Sequence, residues 1–524
     1  MTRFQQFIHS RTFRAGLFLL LLFTGAFMRF YALGQVPRGV NCDEAMSAYQ
    51  AFTLLRSGTD LNGYCNPVYF VAWGGGQSIL QSWLMVPCIR AFGLTEYAIR
   101  LPQAVIGTLC LPVFFLLLRR IFDKPTAWIG YALLAISPWH IMMSRWALDC
   151  NFAAAFLLFG LFFFLLGLER HPGFFLLSAV FYGLSLYSYA TVWVVLPILL
   201  ILQFVCLIWT KKIRIRAYTL GFAGILLLAA LPLVLFIAVN QGWIPEIRSA
   251  VLSIPHMPEY RSSVFTTEGL FNLQSFYRLF QLLVTQSDGY LYNSFPQFGL
   301  FYLFSLPFIV YGVLCSIKSV FSALRNRMFS AEALIHSQLL AGLSVCLLID
   351  IVNINRSNFL YLPLIAFLAL GLRQLLYLRK KTVFQAVAIA YAASFLAFAG
   401  YYFGDGRKEL ADHYRPGTRE ALVFANEQSD DTIVCRTESG YVKVLYYLAI
   451  PVEDYRSIAV FPDTSNKIPT TFGKFQFENP GEAQLQGDVY VLQDEDAQAY
   501  LDAGYTVEIF DRMAVAYLPD ETGE

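Results

Sequence analysis

The stretch from residue 173 to residue 209 reads GFFLLSAVFYGLSLYSYATVWVVLPILLILQFVCLIW and contains no Asp, Glu, Lys or Arg. A membrane-spanning helix needs about 20 predominantly apolar residues, so this stretch is too long for one crossing and we divide it near Tyr187. Of the 524 residues in the chain, 57% are hydrophobic and only 14% are charged, whereas soluble domains carry about 25% charged residues. The composition excludes a soluble globular protein and indicates a polytopic membrane protein.

Apolar stretches of spanning length recur along the first 400 residues. Apart from the two halves described above, they lie near residues 15–33, 99–118, 125–143, 151–168, 218–238, 298–319, 333–352, 358–377 and 383–403. The sequence therefore predicts about eleven transmembrane helices. The first has arginines before it and no small-residue cleavage site after it, so we expect an uncleaved anchor helix.

Charge divides the chain into a basic front and an acidic back. Residues 1–400 contain 28 Lys and Arg against 13 Asp and Glu, and residues 401–524 contain 10 against 23. This asymmetry predicts a membrane domain at residues 1–403, followed by a small soluble α/β domain at residues 404–524. A helix is expected at residues 416–428, and short strands are expected further on. Neither half is expected to bind nucleic acid.

The stretch 77–93 is the one segment whose crossing of the membrane is ambiguous. If it does not cross, the Lys and Arg clusters after it fall on the cytoplasmic side, as the positive-inside rule requires. We therefore predict an interfacial helix there, within a first external loop at residues 34–98. A second external loop follows at residues 239–297, where further interfacial helices are expected. The prediction is a multi-pass cell-membrane protein with a cytoplasmic N-terminus and an extracytoplasmic C-terminal domain.

Carboxylates are scarce in the membrane domain, and Asp43-Glu44 is the only adjacent pair in it. Asp43 stands at the start of a helix-like stretch from residue 45 to residue 55, so one interpretation is that it only caps this helix. The other is that the carboxylate lies just above the outer membrane surface, as a general base or metal ligand for an acceptor arriving from outside. The residues alone leave both interpretations open.

Four segments, in order along the chain, carry a family resemblance. They are the N-x-D-E-A pattern at residues 41–45, the stretch 92–102, Ser-Pro-Trp-His-Ile-Met-Met-Ser-Arg at residues 137–145, and Asn-Arg-Ser-Asn-Phe-Leu-Tyr-Leu-Pro at residues 355–363. Together they resemble the polyprenyl-phosphate-sugar glycosyltransferases of the GT-C fold, and above all bacterial members of glycosyltransferase family 39. These are relatives of protein O-mannosyltransferases and of the aminoarabinose transferase. The resemblance implies an all-α membrane body with interfacial helices and a small extracytoplasmic domain.

By this resemblance Asp43 is the catalytic base or acceptor-binding carboxylate, with Glu44 beside it. A sugar on a polyprenyl phosphate already has a competent leaving group, so catalysis needs an acceptor to be deprotonated and phosphate charge to be neutralised. Arginine forms bidentate phosphate contacts, and Arg356 is the first candidate; snorkelling to lipid headgroups is its alternative. Arg56 and Arg100 are weaker candidates, because Arg100 stands four residues after Glu96 and could pair with it.

Two further acids are candidates for the site. Asp149 is a second carboxylate or metal ligand, unless it only forms a salt bridge with Arg145. Asp350, near the end of a predicted span, is a functional residue or a local polar contact of Asn353. A divalent cation is left open, since no other cofactor is implied, and so is a disulfide between Cys42 and Cys65.

One departure from the family pattern concerns the donor. Many relatives place Lys-Pro-Pro-Leu at the head of the interfacial helix, where this chain has Gln77-Ser78-Ile79-Leu80. The lysine expected at the donor phosphate is absent, which puts the identity of the donor in doubt more than the fold.

The resemblance implies transfer of a sugar from a polyprenyl-phosphate donor to an extracytoplasmic acceptor, which is a protein, a lipid or a wall glycan, with inversion at the anomeric carbon. Three alternatives remain: a polysaccharide polymerase or ligase, a lipid or solute transporter, and a non-catalytic membrane scaffold. A transporter would need charges near the bilayer midplane, whereas most charges here lie at span ends and in loops.

Overall fold

A computed structural model describes residues 11–73, 75–213, 215–257, 273–346, 348–349, 352–437, 439–462, 467–478 and 486–518. The chain forms two compact units. The first consists of Met1–Tyr31, Gln103–Leu231 and Ser262–Tyr402, and the second of Ala32–Pro102, Pro232–Arg261 and Phe403–Glu524. Residues 404–524, which the sequence assigns to a separate domain, thus share a unit with the predicted first external loop. The division of the chain at residue 403 stays a prediction.

The described α-helices follow the predicted apolar stretches closely. They are α1 (Arg11–Phe30), α2 (Cys42–Ser57), α3 (Leu80–Phe92), α4 (Glu96–Ile121), α5 (Lys124–Ile136), α6 (Pro138–Met143), α7 (Asn151–Glu169), α8 (Phe174–Leu186), α9 (Val192–Trp209), α10 (Ala217–Asn240), α11 (Leu273–Thr285), α12 (Leu306–Arg325), α13 (Glu332–Cys346), α14 (Tyr361–Tyr377), α15 (Lys381–Phe403), α16 (Asp405–Glu409), α17 (Ala411–Tyr414), α18 (Thr418–Gln428), α19 (Gly440–Tyr447), α20 (Val452–Ile458) and α21 (Ala497–Asp502).

Eight helices of the described chain are long and apolar enough to cross a membrane, against the eleven or so that the sequence predicts. The difference comes from three predicted spans that are shorter helices. The stretch 125–143 is broken into α5 and α6 at Ser137, because Pro138 follows and the Ser137 side chain caps the new helix at His140 N. Helix α8 has only 13 residues and α13 only 15. The multi-pass membrane class is confirmed.

The predicted break in the uncharged stretch 173–209 is confirmed. Helix α8 ends at Leu186, Tyr187 is its C-cap, and α9 begins at Val192. In the first unit α8 packs against α7, where the rings of Phe163 and Phe181 stack at 5.3 Å between centroids.

Helices α12 and α14 approach each other closely because each presents a glycine. A Cβ at Gly312 would collide with the carbonyl oxygen of Phe367, and a Cβ at Gly371 would collide with that of Phe308. Any larger side chain at either position would therefore separate the two helices, and van der Waals packing is a main force holding helices together in a membrane.

Two helices fit the interfacial positions expected in the loops. Helix α3 contains Pro87 and has 13 residues, too few for a crossing of about 20 residues. Helix α11, in the described part of the second loop, buries Leu279 and Leu282 but exposes Phe276, Tyr277 and Phe280. An apolar face left exposed beside a membrane body is typical of a helix that lies in the interface. Residues 258–272 of this loop lie outside the described part of the chain.

The second unit contains the predicted small sheet. Its strands are β1 (Ile433–Cys435), β2 (Thr471–Phe472), β3 (Phe475–Phe477), β4 (Val489–Gln493), β5 (Thr506–Phe510) and β6 (Met513–Tyr517), in the order β2-β3-β1-β4-β6-β5. Strand β1 runs parallel to β3 and β4, and the other pairs are antiparallel. The α/β class of the C-terminal segment is confirmed. Strands β2 and β3 were not predicted, because two or three residues are too few to show an alternating pattern.

Candidate functional site

Helix α2 carries the Asp43-Glu44 pair, and its cap decides between the two interpretations of Asp43. The N-cap is Asn41, whose side chain accepts a hydrogen bond from Asp43 N at 3.0 Å. The Glu44 carboxylate returns to accept from Asn41 N at 3.3 Å, which completes a capping box. The capping role that the sequence left open for Asp43 is thus filled by Asn41 and Glu44.

Asp43 lies in the first turn of α2 and is half-buried. Its backbone carbonyl accepts a hydrogen bond from Gln77 Nε2 at 3.3 Å. Gln77, the residue at which the family lysine is missing, therefore lies against the backbone of the candidate base, within the same compact unit. The N-x-D-E-A segment and the position of the departure from the family pattern thus lie side by side.

Glu44 and Arg100 form a fully buried ion pair. Arg100 Nε and Nη2 donate to the two carboxylate oxygens of Glu44, each at 2.8 Å, and both side chains have 0% exposure. Arg100 also donates to the carbonyl oxygens of Pro37 at 2.6 Å and Gly39 at 2.8 Å. A buried bidentate pair fixes geometry, so this pair holds the segment before α2 against α4.

Arg100 has neither of the two partners that the sequence suggested for it, Glu96 and a donor phosphate. Its guanidinium neither pairs with Glu96 nor faces solvent where a donor phosphate could reach it, because Glu44 and two carbonyls occupy all three of its nitrogens. Glu96 lies 3.7 Å from Arg419 instead. The sequence could not show a partner 56 residues away, since only helical neighbours three or four residues apart can be inferred from spacing.

Arg56 lies at the other end of α2 from Asp43. It is exposed in the last turn, and its guanidinium lies 5.5 Å from the centre of the Phe52 ring. A helix rises about 1.5 Å per residue, so the two residues are separated by about 20 Å along the axis. The structure does not bring Arg56 to Asp43.

In the first unit, the third and fourth segments of the resemblance meet in one hydrogen-bonded cluster. Trp139 Nε1 donates to Asn358 Oδ1 at 2.8 Å, and Asn358 Nδ2 donates to Asn151 Oδ1 at 2.9 Å. All three residues are buried. Buried polar side chains need satisfied partners, so this cluster fixes the position of α6 against the start of α7 and the start of α14.

Asp149 and Arg356 flank this cluster in the sequence. Asp149 is 8% exposed, and one of its oxygens accepts a hydrogen bond from Cys150 N at 2.8 Å. Arg356 is half-buried, and Asn353 Oδ1 accepts from its backbone N–H at 2.8 Å. Arg145, the predicted alternative partner of Asp149, donates to Met28 O at 2.9 Å and lies over the Tyr402 ring. Asp350 lies outside the described residues.

The described part of the chain holds no group of three or more His, Cys, Asp or Glu side chains arranged to bind a metal ion. The divalent cation left open by the sequence stays a prediction, and Asp149 and Asp350 stay candidates for it. Cys42 and Cys65 are both partly exposed and are not joined by a disulfide.

A cluster around Asp60, in the same unit as Asp43, was not predicted from the sequence. Asp60 is fully buried, and its Oδ1 accepts from Asn62 N at 2.9 Å and Tyr64 N at 2.8 Å. Burial raises the pKa of this carboxyl to about 6, although the two backbone N–H groups and nearby arginines oppose the shift. The Asp-Leu-Asn-Gly order at residues 60–63 is the signal that could have identified it, because Asp and Asn-Gly favour such turns.

Tyr64 connects this turn to residues 246–248, again within the second unit. The Arg248 guanidinium lies 4.4 Å from the centre of the Tyr64 ring and donates to the Tyr64 hydroxyl at 3.0 Å. Tyr64 in turn donates to Glu246 at 3.2 Å. Burial alone would raise the pKa of Glu246, but hydrogen bonds from Arg248, the His256 backbone and Tyr64 outweigh it and lower the pKa.

Comparison with known proteins tests the resemblance. Residues 77–237 match the family model described as dolichyl-phosphate-mannose-protein mannosyltransferase, which is less than half of the chain. No curated protein sequence matches the chain. The crystal structure of ArnT from Cupriavidus metallidurans bound to undecaprenyl phosphate superposes with a TM-score of 0.58 at 14% identity, covering 98% of this chain and 100% of that one.

The fold is that of the GT-C glycosyltransferases. The apo form of the same ArnT gives a TM-score of 0.57 at 15% identity, with 96% and 98% coverage. The Archaeoglobus fulgidus oligosaccharyltransferase in complex with Zn and sulfate gives 0.51 at 16% identity, covering 87% of this chain and 58% of that one. The GT-C fold and the glycosyltransferase class implied by the sequence motifs are confirmed.

Proposed function

We propose that this GT-C protein transfers a sugar from a polyprenyl-phosphate carrier to an acceptor on the extracytoplasmic side of the membrane. The donor class is supported by the family match over residues 77–237 and by the shared fold with an ArnT that binds undecaprenyl phosphate. The side of the membrane is supported by the distribution of Lys and Arg, which favours a cytoplasmic N-terminus and an extracytoplasmic second unit.

The observation that carries this proposal is the separation of tasks between Asp43 and Glu44. Asn41 and Glu44 cap the helix, and Glu44 also pairs with Arg100 inside the protein. Asp43 is not needed as the cap and stays partly exposed in the first turn. A partly exposed carboxylate beside the segment of the family match is suited to take a proton from an acceptor hydroxyl or amine.

The reaction that we assign to Asp43 is a direct displacement. As the acceptor oxygen or nitrogen attacks the anomeric carbon, Asp43 takes its proton. The bond from the anomeric carbon to the phosphate oxygen breaks, and the polyprenyl phosphate leaves with the electron pair. One displacement inverts the anomeric configuration.

The remaining predicted residues receive different assignments. Arg356 is proposed to neutralise charge on the leaving phosphate, because it is partly exposed and arginine forms bidentate contacts with phosphate. Glu44 and Arg100 are positioning residues that hold the segment carrying Asp43. Asp149 remains a candidate second acid. Arg56 is not assigned to the phosphate, since it lies at the far end of α2.

The test is sugar transfer from a panel of radiolabelled polyprenyl-phosphate sugars in membranes containing the wild type or Asp43→Asn. Loss of a general base lowers rates by about 10²- to 10⁴-fold, so we expect at least a 100-fold loss. Asp60→Asn is the matched control, because it removes an acid from the same loop without touching the proposed site, and it should transfer normally. Equal transfer by Asp43→Asn and the wild type would refute the assignment.

A further inference from the structure

A basic cavity of about 280 Å³ lies in the first unit, at the N-terminal end of α1, the C-terminal end of α4 and the start of α5. Four cationic side chains line it, Arg11, Arg14, Arg119 and Lys124, and all four are exposed. No carboxylate is among its lining residues. It is remote in sequence from Asp43 and plays no part in the proposed transfer reaction.

The nearby carboxylates are already committed to other cations. Asp123, directly before α5, accepts from Thr126 through one oxygen and from Arg373 Nε at 2.8 Å through the other. Glu169 accepts from Arg120 Nη1 at 2.6 Å. In the described part of the chain, no carboxylate lies within 4.0 Å of the side-chain nitrogens of Arg11, Arg119 or Lys124. Arg11, Arg119 and Lys124 therefore carry positive charge that no described carboxylate neutralises.

Helix stability does not explain this charge. Lys124 is the first residue of α5, and a cation at a helix N-terminus is disfavoured by the helix dipole. Arg119 lies in the last turn of α4, where the dipole favours a cation. The side chains of Arg119 and Lys124 nevertheless line the same cavity. Like charges gathered in this way repel each other, so an anion between them would stabilise the arrangement.

The other side of the cavity is aromatic. The ring centroids of Phe115 and Trp128 are 4.9 Å apart, and those of Phe18 and Phe115 are 5.6 Å apart. Further along α1, Leu20 and Phe23 are 59% and 68% exposed. These two residues lie on the opposite side of α1 from Arg11, Ala15 and Phe18, so the apolar part of the cavity is its aromatic wall, formed by Phe18, Phe115 and Trp128.

We propose that this cavity binds the head group of an anionic phospholipid, with the start of its acyl chains packing against Phe18, Phe115 and Trp128. Charge complementarity selects an anion, and the aromatic wall selects an amphiphile over free phosphate, which has no apolar part to pack against it. By the positive-inside rule this end of the spans faces the cytoplasmic leaflet. Basic pockets between spans on that side of a membrane are suited to anionic lipid head groups.

The test is a titration of the purified full-length protein, in a neutral detergent, with fluorescent phosphatidylglycerol and with fluorescent phosphatidylcholine. The variant Arg119→Gln/Lys124→Gln removes two cations from the cavity. Each Lys or Arg near an anionic lipid contributes about 1 kcal/mol, so losing two should weaken phosphatidylglycerol binding about 30-fold. Lys380→Gln/Lys381→Gln is the matched control: it removes the same charge from exposed residues outside this cavity and should bind as the wild type does.

Three results would overturn the proposal. The first is equal weakening by the two double variants, which would indicate non-specific attraction. The second is equally tight binding of phosphatidylcholine by the wild type. The third is displacement of bound phosphatidylglycerol by millimolar inorganic phosphate, which would indicate a site for a free anion. The charge-preserving variant Arg119→Lys/Lys124→Arg should bind phosphatidylglycerol with an affinity within a few fold of the wild type. This variant tests the proposal even if the glutamine variant fails to fold.

Discussion

The buried Glu44–Arg100 pair gives the sharpest test of the architecture. Glu44→Gln preserves the size of the side chain but leaves the Arg100 guanidinium buried opposite a neutral amide. Breaking a buried pair by removing one partner costs about 3–5 kcal/mol, because the remaining charge is uncompensated. Both carboxylate oxygens are used here at 2.8 Å with 0% exposure, which places the expected loss in this range.

The assay is thermal unfolding in detergent. Unfolding is detected by the reaction of a thiol dye with the buried cysteines Cys110, Cys150 and Cys435. The second unit spans roughly 200 residues, and for a unit of that size 1 kcal/mol corresponds to about 2–4 °C. Glu44→Gln should therefore lower the transition by about 6–20 °C. Cys435 lies in the second unit, so its exposure should report the loss first.

A variant with both partners of the pair replaced separates the effect of the charge from that of the packing. Replacing both partners, as in Glu44→Leu/Arg100→Met, removes the uncompensated charge, and such replacements of a buried pair are often neutral. The double variant should then be more stable than Glu44→Gln alone. Asp43→Asn, one residue away, should leave the transition unchanged while abolishing transfer. A Glu44→Gln transition within about 2 °C of the wild type would refute the reasoning.

Three further predictions follow from the same geometry. The pKa of Asp60 is about 6 in the native state and 3.8 in the unfolded chain, so the native state binds the proton more tightly. The free energy of unfolding should therefore fall by about 3 kcal/mol as pH rises from about 4 through 6. Thermal transitions measured against pH should show this fall, and Asp60→Asn should abolish it. Arg356→Gln should raise the KM for the lipid donor about tenfold or more, since a hydrogen bond to a charged group contributes about 1.5–3 kcal/mol, whereas Arg56→Gln should not change it; equal effects in transfer kinetics would argue against the assignment. Arg456 donates to Leu61 O at 3.0 Å and to Thr59 Oγ1 at 2.8 Å, so Arg456→Ala should increase protease cleavage of the loop around residues 59–65, and a cleavage pattern like that of the wild type would contradict this.

Much of the membrane fold could be predicted because it depends on local composition. The break at Tyr187 follows from the length of one uncharged stretch, and the non-crossing of α3 follows from the distribution of Lys and Arg. The first is a property of one short sequence window, whereas the second depends on Lys and Arg clusters along the whole membrane domain and stays a prediction. The number of long helices was overestimated for a related reason, since hydropathy does not detect the division at Ser137-Pro138 that turns one apolar stretch into α5 and α6.

The candidate site was predicted only as a set of residues. The sequence did not indicate that residues 137–145 and 355–363 meet, and the Trp139–Asn358 hydrogen bond joins them. The ion-pair partners of individual charged residues were not predictable. Arg100 pairs with Glu44 and not with Glu96, which is nearer in the sequence. Such a choice depends on burial and on backbone carbonyls that no sequence spacing reports.

The assembly of the second unit from distant segments has a consequence for synthesis on the ribosome. The Tyr49 hydroxyl donates to Ile450 O at 2.6 Å, across 401 residues of chain. At elongation rates of 5–20 residues per second, about 20–80 s pass between the emergence of the two partners. Through this interval the apolar side chains of α2 that are buried in the finished protein lack their cover. A ribosome that stalls before residue 450 thus leaves a membrane-anchored chain with an uncovered loop, a substrate for chaperones and proteases.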